Sequence, residues 1–448
     1  MVEVSVQQAG EELRKAAQNV LALGKKAGAD RVKCVTQAGR ENRLVVENGE
    51  FSLANSMQSR SLGLAVHKND RKGSSSTNSV DDESTSSAVE KALALASFSL
   101  PDTNLVMADP SQAGSPDGLD FLYSSETAGI SLEQLGEFMK IALDRFAKEP
   151  KFNLDRFELS THVSYHGMVN SLGVDQHEIQ STLGWSYLGM ARSGDQVSGM
   201  DYQGGFQFGL ENLMERIGSD IDSFLERIVG SLNPIKCPGY KGPILIAPRA
   251  LNQLLLGPLL YHVSGRSIMD GKSRWDKSVG EKVVSDKLSL DDKPHCSDLI
   301  GATAYDGDGL PTANRSIFKD GVLVSHLHDL YSAKKTGAGS TSSAGGPFGL
   351  FVKAGDGGFS DMVAAAPHVL YVTRFSGNVD PLTGDFSGLA KASRLFSDGK
   401  DQGGVGETMI AGNVFEMANQ VLAVGDATEN VGGSYVAPPV LVDGITIS

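Results

Sequence analysis

The chain has 448 residues, 40% of them hydrophobic and 21% charged, with a formal net charge of −14 at pH 7. That length exceeds what one ordinary core organises and predicts two domains. An acidic chain without a Lys/Arg run excludes the counterion-releasing patch that a nucleic-acid binder needs. The three cysteines, Cys34, Cys237 and Cys296, are too scattered for a disulfide framework or a cysteine-based zinc knuckle.

From Met1 to Gln8 there is no basic and apolar leader pattern, and no apolar run reaches the roughly 18 residues of a membrane span. A soluble, cytoplasmic protein is the expectation. Residues 11 to 28 place Leu13, Ala16, Ala17, Val20, Leu21 and Leu23 on one helical face. Arg31 to Glu41 and Arg43 to Phe51 then alternate with period two, which predicts an antiparallel pair of strands. The turn after them is marked by Glu47, Asn48, Gly49 and Glu50, and a third strand runs from Ser61 to His67. A Ser-rich loop is predicted from Gly73 to Ser79. Asp81, Asp82 and Glu83 then cap a helix through Val89, Leu93 and Leu95, and a second helix runs from Ser131 to Lys148.

Phe157 to Phe208 reads as a meander of long hairpins with turns at Asn170 to Gly173 and Ser193 to Asp195. The strongest amphipathic pattern follows, with Leu213, Ile217, Ile221, Phe224, Leu225 and Ile228 against an acidic face of Glu211, Glu215, Asp220 and Asp222. Asn233-Pro234 and Cys237-Pro238-Gly239 break it. The domain boundary is therefore placed at 235, giving an N-terminal domain of residues 1–235 and a C-terminal domain of residues 236–448. The second half is turn-rich and mostly β. It opens with a short apolar strand, Lys241 to Pro248, and an apolar helical run through Tyr261, and its glycines crowd between Gly337 and Gly358. That crowded segment is predicted as a mobile surface loop or a flap whose backbone pairs with a ligand strand.

Candidate chemistry is sparse. His326 and His328 alternate in a strand context and share one face, where they could hold a metal, but no third ligand stands at fixed spacing. His177-Glu178 starts a metallopeptidase-like dipeptide without a second histidine. Asp306-Gly-Asp308-Gly309 lacks the remaining ligands of a calcium loop and reads as a tight turn. Neither a nucleophile elbow nor a phosphate loop occurs, and Gly337-Ala-Gly339 lacks the third glycine of a dinucleotide fingerprint.

Several stretches taken in order carry a resemblance: Lys241 to Pro248, Asp306 to Thr312, Gly321 to Lys335, Thr383 to Ser387, Met409 to Asn413, and the tail from Ala437. Together they are similar to the TldD/PmbA family, zinc-dependent peptidases also described as modulators of DNA gyrase, and more closely to its PmbA (TldE) branch. The resemblance implies an α+β chain: an N-terminal antiparallel sheet with packed helices, and a β-rich, barrel-like C-terminal domain. In the TldD branch a His-Glu-x-x-x-His helix and a later cysteine bind zinc. The matching positions here hold Leu256, Gly257 and Tyr261, and no cysteine follows Ala423.

The resemblance therefore implies a non-catalytic subunit with no cofactor of its own. It would hold extended peptides for a TldD-like partner that carries the zinc, with self-association of the isolated chain left open. Ser340, Thr341 and Ser342, together with Gly384, Asp385, Phe386 and Ser387, are the predicted peptide-binding surface. Two rival readings are an acidic regulator that binds DNA gyrase, and a self-sufficient hydrolase with metal on His326 and His328.

Overall fold

The computed structural model describes residues 5–448; the first four residues of the Met1 to Gln8 stretch lie outside the described residues. The first half is built on a seven-stranded antiparallel sheet: β1 (Arg31–Glu47), β2 (Glu50–Lys68), β3 (Arg71–Thr77), β4 (Phe152–Asn170), β5 (Asp175–Ser193), β6 (Gln196–Val197) and β7 (Asp201–Phe208). The order is β3-β2-β1-β4-β5-β6, with β7 also on β5.

Two predictions need correction. The strands expected at 31–41 and 43–51 are one strand as far as Glu47, because β1 pairs straight through Asn42 with β4 on one side and β2 on the other. Asn42, the residue between them, gives its amide to the Ile130 carbonyl at 3.0 Å and turns nothing. The reversal waits for Asn48 and Gly49, both in the left-handed region at φ 50° and 83°, as a two-residue hairpin requires. The Ser-rich segment expected as a loop is β3. Its small residues let the helix Asp82–Phe98 lie directly on it, so closely that a Cβ on Gly73 would sit 1.9 Å from the Ala92 carbonyl oxygen.

One face of the sheet carries four helices in two groups. Val6–Lys26, capped by Ser5, buries Leu13, Ala17 and Val20; with Ala88, Val89 and Ala92 of Asp82–Phe98 it covers Val32, Leu62, Leu64 and Val66. Leu132–Phe146 and Leu213–Val229 cover the other end. Their core is aromatic. Phe146, Phe152, Phe157, Tyr187 and Phe224 meet mostly edge to face, at centroid separations from 5.0 to 6.1 Å.

The second half curls two sheets into half-barrels, as the barrel-like expectation held. In the nine-stranded one, β8 (Tyr240–Ile246) is central, parallel to His368–Val372 and antiparallel to Val440–Ile447. The helical stretch from Pro248 to Val263 follows at once and is sunk in the largest core, with Leu251, Leu254, Leu255, Leu256, Leu259 and Val263 all buried. Its middle, Asn252–Leu256, is a π-turn. No helix among the described residues is long and apolar enough to cross a membrane.

The halves are tied by buried polar contacts. Glu178 on β5 accepts from the Ala304 amide and the Thr303 hydroxyl, both at 2.8 Å, and Tyr305 donates to the His166 carbonyl at 2.6 Å. The Asp306 carboxylate accepts from the amides of Asp308, Leu310 and Ala344, which accounts for the Asp-Gly motif as a closed turn.

Two measurements follow. Phe224→Ala is expected to cost about 3–5 kcal/mol in urea unfolding, since a wholly buried ring leaves a cavity in the aromatic core. His67, buried on β2, has its imidazole pushed down to about 4, by burial first and then by Lys72, Arg31 and Lys33. A histidine depressed in the folded state favours folding above its unfolded value near 6.5, and that contribution is lost as pH falls from there toward 4. Thermal unfolding across that window should show a decline, on the order of 3 kcal/mol in all, that His67→Gln flattens.

Candidate functional site

A cleft of about 1200 Å³ lies between β5, β7 and the Leu213–Val229 helix on one side and the start of the Pro248–Val263 stretch with the Glu429–Tyr435 hairpin on the other. Small-ligand pockets hold about 300–1,000 Å³, so this one has room for a longer guest. Its cationic wall is organised by one carboxylate. Asp201, at the start of β7 and 3% exposed, meets Arg227 Nε at 2.9 Å, Arg374 Nη1 at 3.0 Å and Arg249 Nη1 at 3.8 Å. Arg249 also donates to the Tyr202 carbonyl at 2.6 Å, and Arg227 to the Gln203 side chain at 2.9 Å.

Three guanidinium groups around one anion leave donor capacity unspent, and Arg249 Nη1 is buried without a hydrogen-bond acceptor. Asp220, on the same helix as Arg227, accepts the Trp185 indole N–H at 3.0 Å, and Glu429 stands with Arg249 on the other side of the cleft. The walls strip water from both carboxyls, so both titrate above their ordinary values despite the arginines. Gly204 and Gly205 leave β7 bare here. A Cβ on Gly204 would lie 2.6 Å from the Trp185 carbonyl, and one on Gly205 2.5 Å from the indole ring.

Further along the same helical stretch are the three positions where the resemblance puts zinc ligands. Leu256 is buried in the core, Gly257 is exposed with no side chain, and Tyr261 is half-buried. A hydrocarbon, a hydrogen and a phenol do not make a zinc donor set. The neighbouring imidazole, His262, is wholly buried against Phe415 and Trp275, and its Nδ1 accepts the Arg274 amide at 3.1 Å. Among the described residues no three His, Cys, Asp or Glu side chains converge to hold an ion.

His326 and His328 do lie together, with ring centroids 5.9 Å apart, but in an extended loop rather than the strand expected of them. The chain there is turning into the helix Leu330–Thr336, which Asp329 caps. His326 Nε2 is 2.9 Å from the Trp275 carbonyl and His328 Nδ1 is 3.1 Å from the Ser332 hydroxyl.

The predicted peptide-binding residues lie elsewhere than the cleft. The Ser340 to Ser342 segment is pinned: the Thr341 hydroxyl accepts the His328 amide at 2.7 Å, and Ser340 Oγ accepts the Ser342 amide at 3.2 Å. Gly384, at φ 83°, packs where a Cβ would strike the Phe415 ring, and Phe386 points into the core. Asp385 and Ser387 are exposed on Asp385–Lys391, a strand already paired on both sides. The cleft residues Asp220, Arg227, Arg249 and Glu429, with Asp201 and Arg374 bonded behind them, escaped sequence reading as a site, because they come from five separate segments with no shared spacing.

A mixed α+β chain with two curled sheets and this helix after β8 defines a class. One family model, described as the PmbA/TldA metallopeptidase C-terminal domain, matches residues 239–448, and another, described as domain 1, matches residues 35–96. The chain belongs to the PmbA/TldD metallopeptidase family. A Haemophilus influenzae metalloprotease PmbA homologue is 28% identical over 440 residues, covering 94% of this chain and 92% of its own. TldE from Thermococcus kodakarensis superposes with a TM-score of 0.85 at 20% identity, over 97% of this chain and all of its own. A Thermotoga maritima protein named as a candidate modulator of a DNA gyrase gives 0.85 at 21%, over 97% and 99%.

Asp201→Asn should leave three arginines around a neutral amide. Breaking a buried charge cluster in this way is expected to cost about 3–5 kcal/mol in chemical unfolding.

Proposed function

We propose that this chain is the non-catalytic, TldE/PmbA-like subunit of a TldD/TldE-type metallopeptidase complex, holding an extended peptide while a zinc-bearing partner cleaves it. The observation that carries this reading is a peptide-sized cleft beside a helix whose ligand positions hold Leu256, Gly257 and Tyr261. The wall can bind without cutting. Bare backbone at Gly204 and Gly205 suits main-chain hydrogen bonds that tolerate many sequences, and the Arg249 guanidinium lines the wall, where its charge favours a peptide carbonyl or carboxylate. The exposed Asp385 and Ser387, and the Ser340 to Ser342 segment, belong to the same proposal as a second contact surface.

A gyrase regulator is the competing reading, supported by the name of the Thermotoga relative and by the net charge of −14. A metal on His326 and His328 has less support, since each ring already has a near partner within the chain.

The test mixes the purified chain with a family member bearing His-Glu-x-x-x-His. Complex formation and peptide cleavage by the mixture, with none by this chain alone, is the expected result. Arg249→Ala should weaken capture of a fluorescent peptide about tenfold, the loss of one charge-assisted hydrogen bond. Turnover by this chain alone, or salt-sensitive gyrase binding with no complex in the mixture, would remove the proposal.

A further inference from the structure

One end of the first half carries charge of the opposite sign to the rest of this acidic chain. Residues 25–31 and 67–72 hold Lys25, Lys26, Arg31, Lys68, Arg71 and Lys72 against only Asp30 and Asp70, so this end is +4 and the remainder of a molecule of net charge −14 is −18. The two segments form one unit: the Asp30 amide donates to the His67 carbonyl at 2.8 Å, and the Asn69 amide donates to the Asp30 carboxylate at 2.7 Å. Among the described residues none of the six cations is in an ion pair.

An apolar projection stands beside them. Leu95, Phe98 and Leu100 are 53%, 86% and 88% exposed. Lys91, Leu95 and Phe98 follow at helical spacing on the outer face of Asp82–Phe98, whose inner face is buried through Ala88, Val89, Ala92 and Ala96. Just past the helix the chain is fastened to the basic hairpin at three points. The Arg71 guanidinium donates to the Ser99 carbonyl, the Ser99 hydroxyl donates to the Lys72 carbonyl at 2.7 Å, and the Asp102 amide donates to the Asp70 carbonyl at 2.6 Å. Phe98 and Leu100 are therefore held out by the same hairpin that carries Lys68, Arg71 and Lys72.

Exposed apolar groups mark contact surfaces, and the charge around these selects the kind. Side chains that protrude need a socket on a protein partner but none on a lipid surface, where they sink to the acyl boundary while Lys and Arg stems lie along it with their charges among the phosphates. Long-range repulsion adds an orientation: a molecule this acidic is pushed from an anionic surface on every side except the one that presents this end. We propose that Phe98 and Leu100, flanked by the basic turns at 25–31 and 67–72, dock this chain reversibly on an anionic phospholipid bilayer. Such a contact requires no spanning helix, and the described residues contain none. The inference is independent of the peptide-holding role and survives if that fails.

Sedimentation at low salt with phosphatidylcholine vesicles, plain or containing about one-third phosphatidylglycerol, decides it. The wild-type chain should pellet with the anionic vesicles and stay in solution with the neutral ones. Lys68→Glu combined with Lys72→Glu, and separately Phe98→Ser combined with Leu100→Ser, should each weaken binding about tenfold, while Lys319→Glu on the exposed surface of the second half leaves it unchanged. Thermal unfolding at the wild-type midpoint shows that the fold is intact in each. Phe98→Trp supplies a reporter whose added emission should move to the blue on anionic vesicles. Failure to pellet, equal pelleting with both vesicles, indifference to either double variant, or a bound Phe98→Trp chain whose emission does not move overturns the proposal. So does displacement from the vesicles by an equal charge of nucleic acid, or a zinc-bearing family member that binds only when Phe98 and Leu100 are intact, since either assigns this end to a different partner.

Discussion

Asp201 is the constraint around which the cleft is assembled. A carboxylate 3% exposed at the start of β7 is tolerable only with strong partners, and it takes three arginines from a helix of the first half and from a helix and a strand of the second. Those contacts set the distance between the halves at this end, and so they set the width of the cleft. At the other end Glu178 and Tyr305 do the same with fewer charges. The cleft is thus held from both sides by buried polar groups whose hydrogen bonds would be left unmet if the halves parted.

The surplus of guanidinium groups matters for what the cleft can hold. Arg227 and Arg249 spend part of their donors on backbone and on Gln203, yet Arg249 retains a buried N–H with no acceptor. Burial raises the carboxyls of Asp220 and Glu429, which stand among the arginines on the two sides. A guest offering both carbonyl oxygens and N–H groups would satisfy arginines and carboxyls alike, and a peptide backbone offers both in alternation. A zinc site on the helix after β8 would need a donor set there. Here that helix is spent on packing: five of its leucines and a valine lie in the main core.

Much of the scaffold was legible because it rests on local rules. The capping oxygens of Asp81 and Ser131 and the apolar stripe ending at Ile228 each act within a few residues, and the structure places helices there. The hairpin at Asn48-Gly49 was legible for the same reason, through its left-handed backbone. What failed was non-local. β3 reads as a loop because its side chains are small and polar, and only the helix lying on Gly73 makes that smallness a packing requirement. Asn42 looks like an interruption until both flanking ladders are seen to pass it.

The sequence by itself determined the main helices, the family, and the chemistry absent from positions 256 and 257, since a side chain without donor atoms needs no coordinates to be judged. Only the tertiary structure decided where a ligand would lie. Asp201, Arg227, Arg249, Arg374 and Glu429 are spread over more than two hundred positions, and they become one site because sheet pairing and helix packing bring their segments together. It also decided that the Ser340 to Ser342 segment is held rather than free, for its hydrogen bonds run to His328 and are invisible in glycine content. Periodicity reports which face of an element is buried; which elements then face each other is set by long-range packing.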